Sequence, residues 1–162
     1  LIMRINKLFQ KFESSLVIRL NGTSDIDYDN IALSVDGQVY KNIMEYFSDI
    51  QFYDYTKRLK RVEKTLPANY DLTLSYSGAR HSYSTRVLQK HAEGHKIAVV
   101  FDDLKTATSE NFNFFGASVI SGDNTDLRHL DKKGACIGLA AKGQAKRDDS
   151  GFVVKLIPSI MI

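Results

Sequence analysis

The sequence predicts one α/β domain on a mainly parallel sheet of six to seven strands, built as an incomplete (β/α) barrel or an open sheet. Three observations carry this. Strand-like and helix-like stretches alternate at least three times in the first hundred residues, a rhythm that favours right-handed parallel connections over hairpins. Residues 97–101, IAVVF, are almost wholly apolar, the pattern of an interior strand covered on both faces. Most strand candidates end in polar residues, and ligands of parallel α/β folds gather beyond those ends.

Composition sets the outer limits. A chain of 162 residues has the size of one domain, whole or part of a longer protein, and needs no metal or disulfide to hold a core. With 43% hydrophobic residues, 25% charged residues and only two prolines, it reads as globular rather than disordered. The single cysteine, Cys136 in GACIGLAA, cannot form an internal disulfide and predicts a buried strand, which fits a reducing compartment. No run reaches the roughly 18 apolar residues of a membrane span, and LIMRINKLFQKF is too charged for a signal-peptide core. The expectation is a cytosolic protein without membrane contact. The net charge of +3 by itself indicates no partner, but Lys57, Arg58, Lys60, Arg61 and Lys64 have only Glu63 against them. Lys142, Lys146 and Arg147 form a second basic group, followed by Asp148 and Asp149.

Apolar residues Ile5, Leu8, Phe9, Phe12 and Leu16 recur at three- and four-residue spacing and predict a helix. Residues 16–20, LVIRL, predict a strand stopped by Asn21-Gly22. Ser24-Asp25 and Asp29-Asn30 have the chemistry of caps for short helical turns, and residues 42–47 read as a helix. Strands are predicted at 50–55 and, after the Pro67 break, at 70–76. Residues 82–92 predict a helix that Gly94 stops, and a strand follows at 97–101. Residues 104–115 lack a helical period and predict an irregular connection. Later strands are expected at 117–120, 136–141 and 151–157, with a short helical segment at 125–130, and the apolar tail 156–162 is suited to cover an edge.

The strand ends hold the candidate chemistry. Asn21, Ser24 and Asp25 offer an amide, a hydroxyl and a carboxylate around Gly22, although such a segment also makes an ordinary turn. In the next strand, alternation places Tyr53, Tyr55 and Lys57 on one face and Asp54 and Thr56 on the other. A lysine beside tyrosines at a strand end suits a phosphate or carboxylate. Ser75 and Ser77 end the third strand. Asp123 and Arg128 lie in the densest polar run, where the alternative is an internal pair of Arg128 with Asp126 or Asp131, and Lys142 follows the sixth strand. Asp54 and Asp123 are the acid/base or metal-ligand candidates, and Asn21, Asp25, Lys57, Ser75, Arg128 and Lys142 the ligand-binding ones. The four histidines form no H-E-x-x-H pair, so no metal site is expected from them; P-loop, dinucleotide-binding and serine-elbow motifs are absent. Asp102-Asp103 after the fourth strand has the chemistry to ligate Mg²⁺, as has Asp123, but adjacent acids at a strand end are commonly helix caps.

The ordered series IRLNGTSDI, QFYDYTKR, NYDLTLSYS, KIAVVF, SVISGDNTDLRHLD and GLAAKGQAKRDDSGFVV resembles a largely uncharacterised family encoded by bacteriophages and prophages, over roughly residues 4–154. The resemblance implies a phage setting and part of a radical-SAM-like barrel, with a cysteine-containing segment preceding the first helix in longer members. Cys136 alone cannot hold an iron–sulfur cluster. The leading expectation is a phage protein that binds a nucleotide or nucleic acid at its strand ends, acting in the host cytoplasm, with the cofactor and any reaction unassigned. The alternatives are a non-catalytic phage protein that modulates a host protein, and a part of an iron–sulfur or radical enzyme.

Overall fold

The computed structural model describes residues 1–12 and 15–156. Helix α1, Ile2–Phe12, is followed by β1, Val17–Arg19, and then by a hairpin of β2, Leu33–Val35, and β3, Gln38–Tyr40. Helix α2, Ile43–Tyr46, precedes the two longest strands, β4, Gln51–Thr56, and β5, Tyr70–Ser75. Helix α3, His81–Ala92, leads into β6, Ile97–Phe101. Helix α4, Leu104–Ala107, is followed by β7, Asn113–Phe114, β8, Ala117–Ser121, β9, Cys136–Ala140, and β10, Val153–Val154.

The main sheet runs β1-β4-β5-β6-β9-β8-β7, and β10 pairs with β6. All its pairings are parallel except β7 with β8. Among the described residues β1 and β7 stay at opposite edges, so the mainly parallel sheet that the sequence predicts is not closed into a barrel. Strand β10 enters where β5 turns away after Ser75. It takes up the carboxyl half of β6, with Val153 opposite Val100, and Gly78 N–H donates to Gly151 O at 2.9 Å.

The two faces of the sheet differ in chemistry. Phe52, Leu72, Leu74, Ile97, Val99, Phe101, Val119 and Cys136 share a core with Ile5 of α1, Met44 of α2, Val87 of α3 and Ala107 of α4. Burial pushes the Cys136 thiol up to about 12. Parallel register places Arg19, Tyr53 and Asp71 in one row of the opposite face, Tyr55 and Thr73 in the next, and Ser75, Ala98 and Ile137 in a third. Near the amino ends this face is covered by residues 122–131. Lys96 Nζ donates to Asp71 Oδ1 and to Arg128 O, both at 2.5 Å, and the rings of Tyr53 and His129 lie 6.2 Å apart. Toward the carboxyl ends the cover stops, leaving Tyr55, Ser75, Val100 and Leu139 half-buried. The expectation that residues 97–101 are covered on both faces therefore fails at Val100.

Local signals explain most boundaries. The Asn42 side chain accepts from Glu45 N–H at 2.9 Å and starts α2. Asp103 accepts from Thr106 N–H at 3.1 Å and caps α4, within the stretch expected to be irregular. Gly94, at φ +97°, ends α3 as expected: His95 N–H reaches back to Lys90 O and Gly94 N–H to His91 O, the two bonds of a Schellman cap. Asp36 and Gly37 both have positive φ, 50° and 81°, and close the β2–β3 hairpin that the strand-and-helix reading passed over. The caps expected of Ser24-Asp25 do not form, because Asp25 is drawn to Arg61, and the helical segment at 125–130 is a 3₁₀ turn at Arg128–Leu130. The last strand is shorter than predicted. Positions 13–14 and 157–162, where the first helix pattern and the apolar tail were expected to run on, lie outside the described residues. No described helix is long and apolar enough to cross a membrane.

Gly138 in β9 offers a direct test of the packing. A Cβ there would stand 2.7 Å from both Leu104 Cδ1 and Val119 Cγ1. Gly138→Ala is expected to cost about 1–3 kcal/mol, seen as a lower urea midpoint at unchanged m-value.

Candidate functional site

Beyond β1 the chain is folded back by side chains rather than by secondary structure. Asn21 Oδ1 accepts from Ile26 N–H at 2.9 Å and from Ser24 Oγ at 2.8 Å, closing a local turn. The backbone N–H of Asn21 donates to Asp54 Oδ1 at 2.7 Å and its Nδ2 to Asp54 Oδ2 at 2.9 Å. Asp54, in β4 and fully buried, takes a third bond from Tyr70 Oη of β5 at 2.8 Å. Tyr70 Oη in turn accepts from Arg61 Nη2 at 2.7 Å. Arg61 is 1% exposed and meets three carboxylates: Asp25 at 2.6 Å, Asp27 in close contact and Asp29 at 3.7 Å. Arg58 pairs with Asp27 at 3.4 Å and Lys64 with Asp29 at 2.5 Å, so three acids face three bases.

The alternating aspartates therefore hold a guanidinium, not a metal, and no His, Cys, Asp or Glu cluster suited to a metal occurs among the described residues. Burial pushes Asp54 above the ordinary carboxylate range against the bonds from Asn21 and Tyr70, and burial together with the Asp54 charge drives Tyr70 far upward. For Asp25, burial also acts upward, but the Lys57 N–H, the Thr56 hydroxyl and Arg61 outweigh it and hold the carboxyl below its ordinary value.

On this frame two cavities open at the carboxyl ends of β1, β4 and β5. One of about 350 Å³ is lined by Arg19, Thr23, Ser24, Asp25, Tyr55 and Ser75. The other, of about 390 Å³, is lined by Ser77, Ala79, Arg80 and Tyr83 at the start of α3. Lys57 lines both. The Arg19 guanidinium lies 4.8 Å over the Tyr55 ring and its Nε donates to Asn21 O at 3.0 Å, while Lys57 Nζ lies 4.9 Å over Phe152. Tyr83 Oη donates to Ser75 O at 2.7 Å, and burial pushes its phenol up to about 12. Arg80 precedes α3 without capping it through its side chain. Among the described residues Arg19, Lys57 and Arg80 form no ion pair with a carboxylate.

The expected site residues divide into three groups. Asp25, Lys57 and Ser75 line the cleft. Asn21 and Asp54 lie beneath it, 1% and 0% exposed; Asp54 has no surface to offer a ligand, so an acid/base role there lacks access. Asp123 and Lys142 belong to the far side, after β8 and β9, and Arg128 lies in the turn that covers β4 and β5 near their amino ends. Lys142 pairs with Asp123 at 3.2 Å. Arg128 is fully buried, pairs with Asp131 at 3.3 Å and donates to the carbonyls of Gly122 and Thr125, the internal arrangement that its sequence setting also allowed. The strand-end residues thus do not converge on one point. Arg19, Arg80, Thr23 and Tyr83 were missed, although Arg19 is separated from the Asn21 turn by only Leu20 and Arg80 stands just before a predicted helix. The basic stretch 57–64 is split by the fold: Arg61 is buried, Arg58 and Lys64 are paired, and Lys57 lines the cleft. Cys136, the one cysteine, is buried in β9 and unsuited to an iron–sulfur cluster.

Tyr70→Phe removes the hydroxyl between Asp54 and Arg61 and is expected to cost about 1–3 kcal/mol in chemical denaturation. The two aspartates oppose each other in pH dependence. Asp25, lowered in the fold, contributes stability that is present above pH 3.8 and lost as pH falls through its depressed pKa; Asp54, raised, contributes stability that is present below 3.8 and lost as pH rises through its elevated pKa. Melts across acidic pH are expected to show Asp25→Asn flattening the acid limb and Asp54→Asn flattening the decline above pH 3.8.

Neither the curated proteins nor the solved structures contain a match to this chain. A family model does match, described as Gene product 88, over residues 2–156, which includes α1, every strand of the sheet and all the cleft residues. The chain belongs to the Gene product 88 family, a phage-type family.

Proposed function

We propose that this phage-type protein binds a phosphate-bearing ligand, a nucleotide or nucleic acid, in the cleft at the carboxyl ends of β1, β4 and β5, in the host cytoplasm. One observation carries the reading: Lys57 stands where the two cavities meet, flanked by Arg19 and Arg80, and none of the three has a carboxylate partner among the described residues. The acid that lines the cleft, Asp25, already serves Arg61, Thr56 and the Lys57 N–H. Hydroxyls of Thr23, Ser75 and Ser77 supply donors for phosphate oxygens beside the fixed charges. The Lys142–Asp123 pair lies on the other side of β6, where Lys142 would meet only a ligand long enough to cross the strand ends.

The alternative of a host-protein binder draws on another surface. Met3, Ile31 and Val39 are 80%, 48% and 72% exposed, and Met3 and Ile31 line a shallow cavity of about 330 Å³. It differs in its test, because Met3→Glu with Val39→Glu would remove the partner and leave ligand binding in the cleft intact.

Lys57→Ala and Arg80→Ala are each expected to weaken binding of labelled nucleotides or oligonucleotides about tenfold, or ~1.4 kcal/mol. For an oligonucleotide each should also lower the salt slope by about one. Absence of binding at every salt concentration, or affinities unchanged in both variants, would remove the reading.

A further inference from the structure

The cleft is double. Each of its cavities lies toward the lower end of the roughly 300–1,000 Å³ range of ligand pockets, room for one nucleotide-sized group. Each has its own cation, Arg19 in one and Arg80 in the other, and its own hydroxyls, Thr23 and Ser24 in one and Ser77 in the other. Lys57 belongs to both and sits at their junction. A mononucleotide would fill one cavity and leave the other cation in water. A chain with two or more consecutive phosphates would engage all three charges at once.

We infer that the ligand is a single-stranded oligonucleotide whose adjacent phosphates occupy the two cavities on either side of Lys57, an inference that rests on the phosphate reading above. The positive charge follows a short line, Arg19–Lys57–Arg80, along the strand ends, as a groove that tracks a backbone requires. Aromatic rings accompany it: Tyr55 lies beneath Arg19, Phe152 beneath Lys57, and Tyr83 lines the second cavity. Rings and cations held together in this way accept any base by stacking, so the site selects for backbone and strand form more than for sequence. The cavities also reach residues that are nearly buried, Thr56 at 2% exposure in one and Ser77 at 8% in the other, and bases can stack on the rings beside them only when unpaired.

Fluorescence anisotropy with labelled oligothymidylate, repeated with oligouridylate, tests this. The competitors are thymidine monophosphate, the di-, tetra- and octanucleotides, and a blunt duplex. The tetranucleotide is expected to bind roughly 30-fold more tightly than the monophosphate, with little gain beyond it and weaker binding of the duplex. Arg19→Ala and Arg80→Ala, both at exposed positions and checked for intact melting, should each bring the tetranucleotide to within about threefold of the monophosphate. A monophosphate that competes as well as the tetranucleotide, or a duplex that binds more tightly than the single strand, overturns the inference and leaves the phosphate reading standing. If no phosphate compound binds, both fall.

Discussion

The position of the cleft depends on Arg61. One buried guanidinium gathers Asp25, Asp27 and Asp29 from the segment after β1 and touches Tyr70 of β5, and Tyr70 passes the contact on to Asp54 of β4. A buried charge left without its partner costs about 3–5 kcal/mol, so the network is held as a unit. It contributes less to net stability than to placement: residues 21–30 contain one 3₁₀ turn and no strand, yet they are fixed against two strands at once. Thr23, Ser24 and Asp25, which form a wall of the cleft, inherit that rigidity.

The same network sets the electrostatics of the cleft. Three of the acids nearest the strand ends are turned inward to Arg61, Arg58 and Lys64. Arg19, Lys57 and Arg80 consequently form no ion pair among the described residues, and Asp25, the carboxylate in the cavity lining, is engaged by Arg61, although the whole chain carries only +3. Local field is decided by which charges are used internally, and net charge is silent on that.

The sheet adds the second constraint. Its apolar face carries the helices, while the other is covered by residues 122–131 only near the amino ends. With neither a helix layer nor barrel closure on that side among the described residues, Tyr55 and Ser75 are left at an open rim, and β10 fills the gap where β5 leaves β6. Ligand access and sheet topology are in this sense one fact.

Much of the fold was legible because its signals are local. The apolar run of β6, the alternation of β4 and β5, the amphipathic α1 and the Gly94 stop each need only neighbouring residues to be read. The β2–β3 hairpin was missed although Asp36-Gly37 marks it, since its three-residue strands bury little and show no strong alternation. By itself the sequence determined the α/β class, the mainly parallel sheet and the placing of Lys57 and Ser75 at strand ends, because side-chain period and turn chemistry act within a few residues. Only the tertiary structure decided that Asp54 and Arg128 are internal, that Arg61 is the hub and that Arg19 and Arg80 flank Lys57. Burial and ion pairing join residues that are 30 or more positions apart, as Asn21 and Asp54 are, and no local pattern records which partner a charge will find.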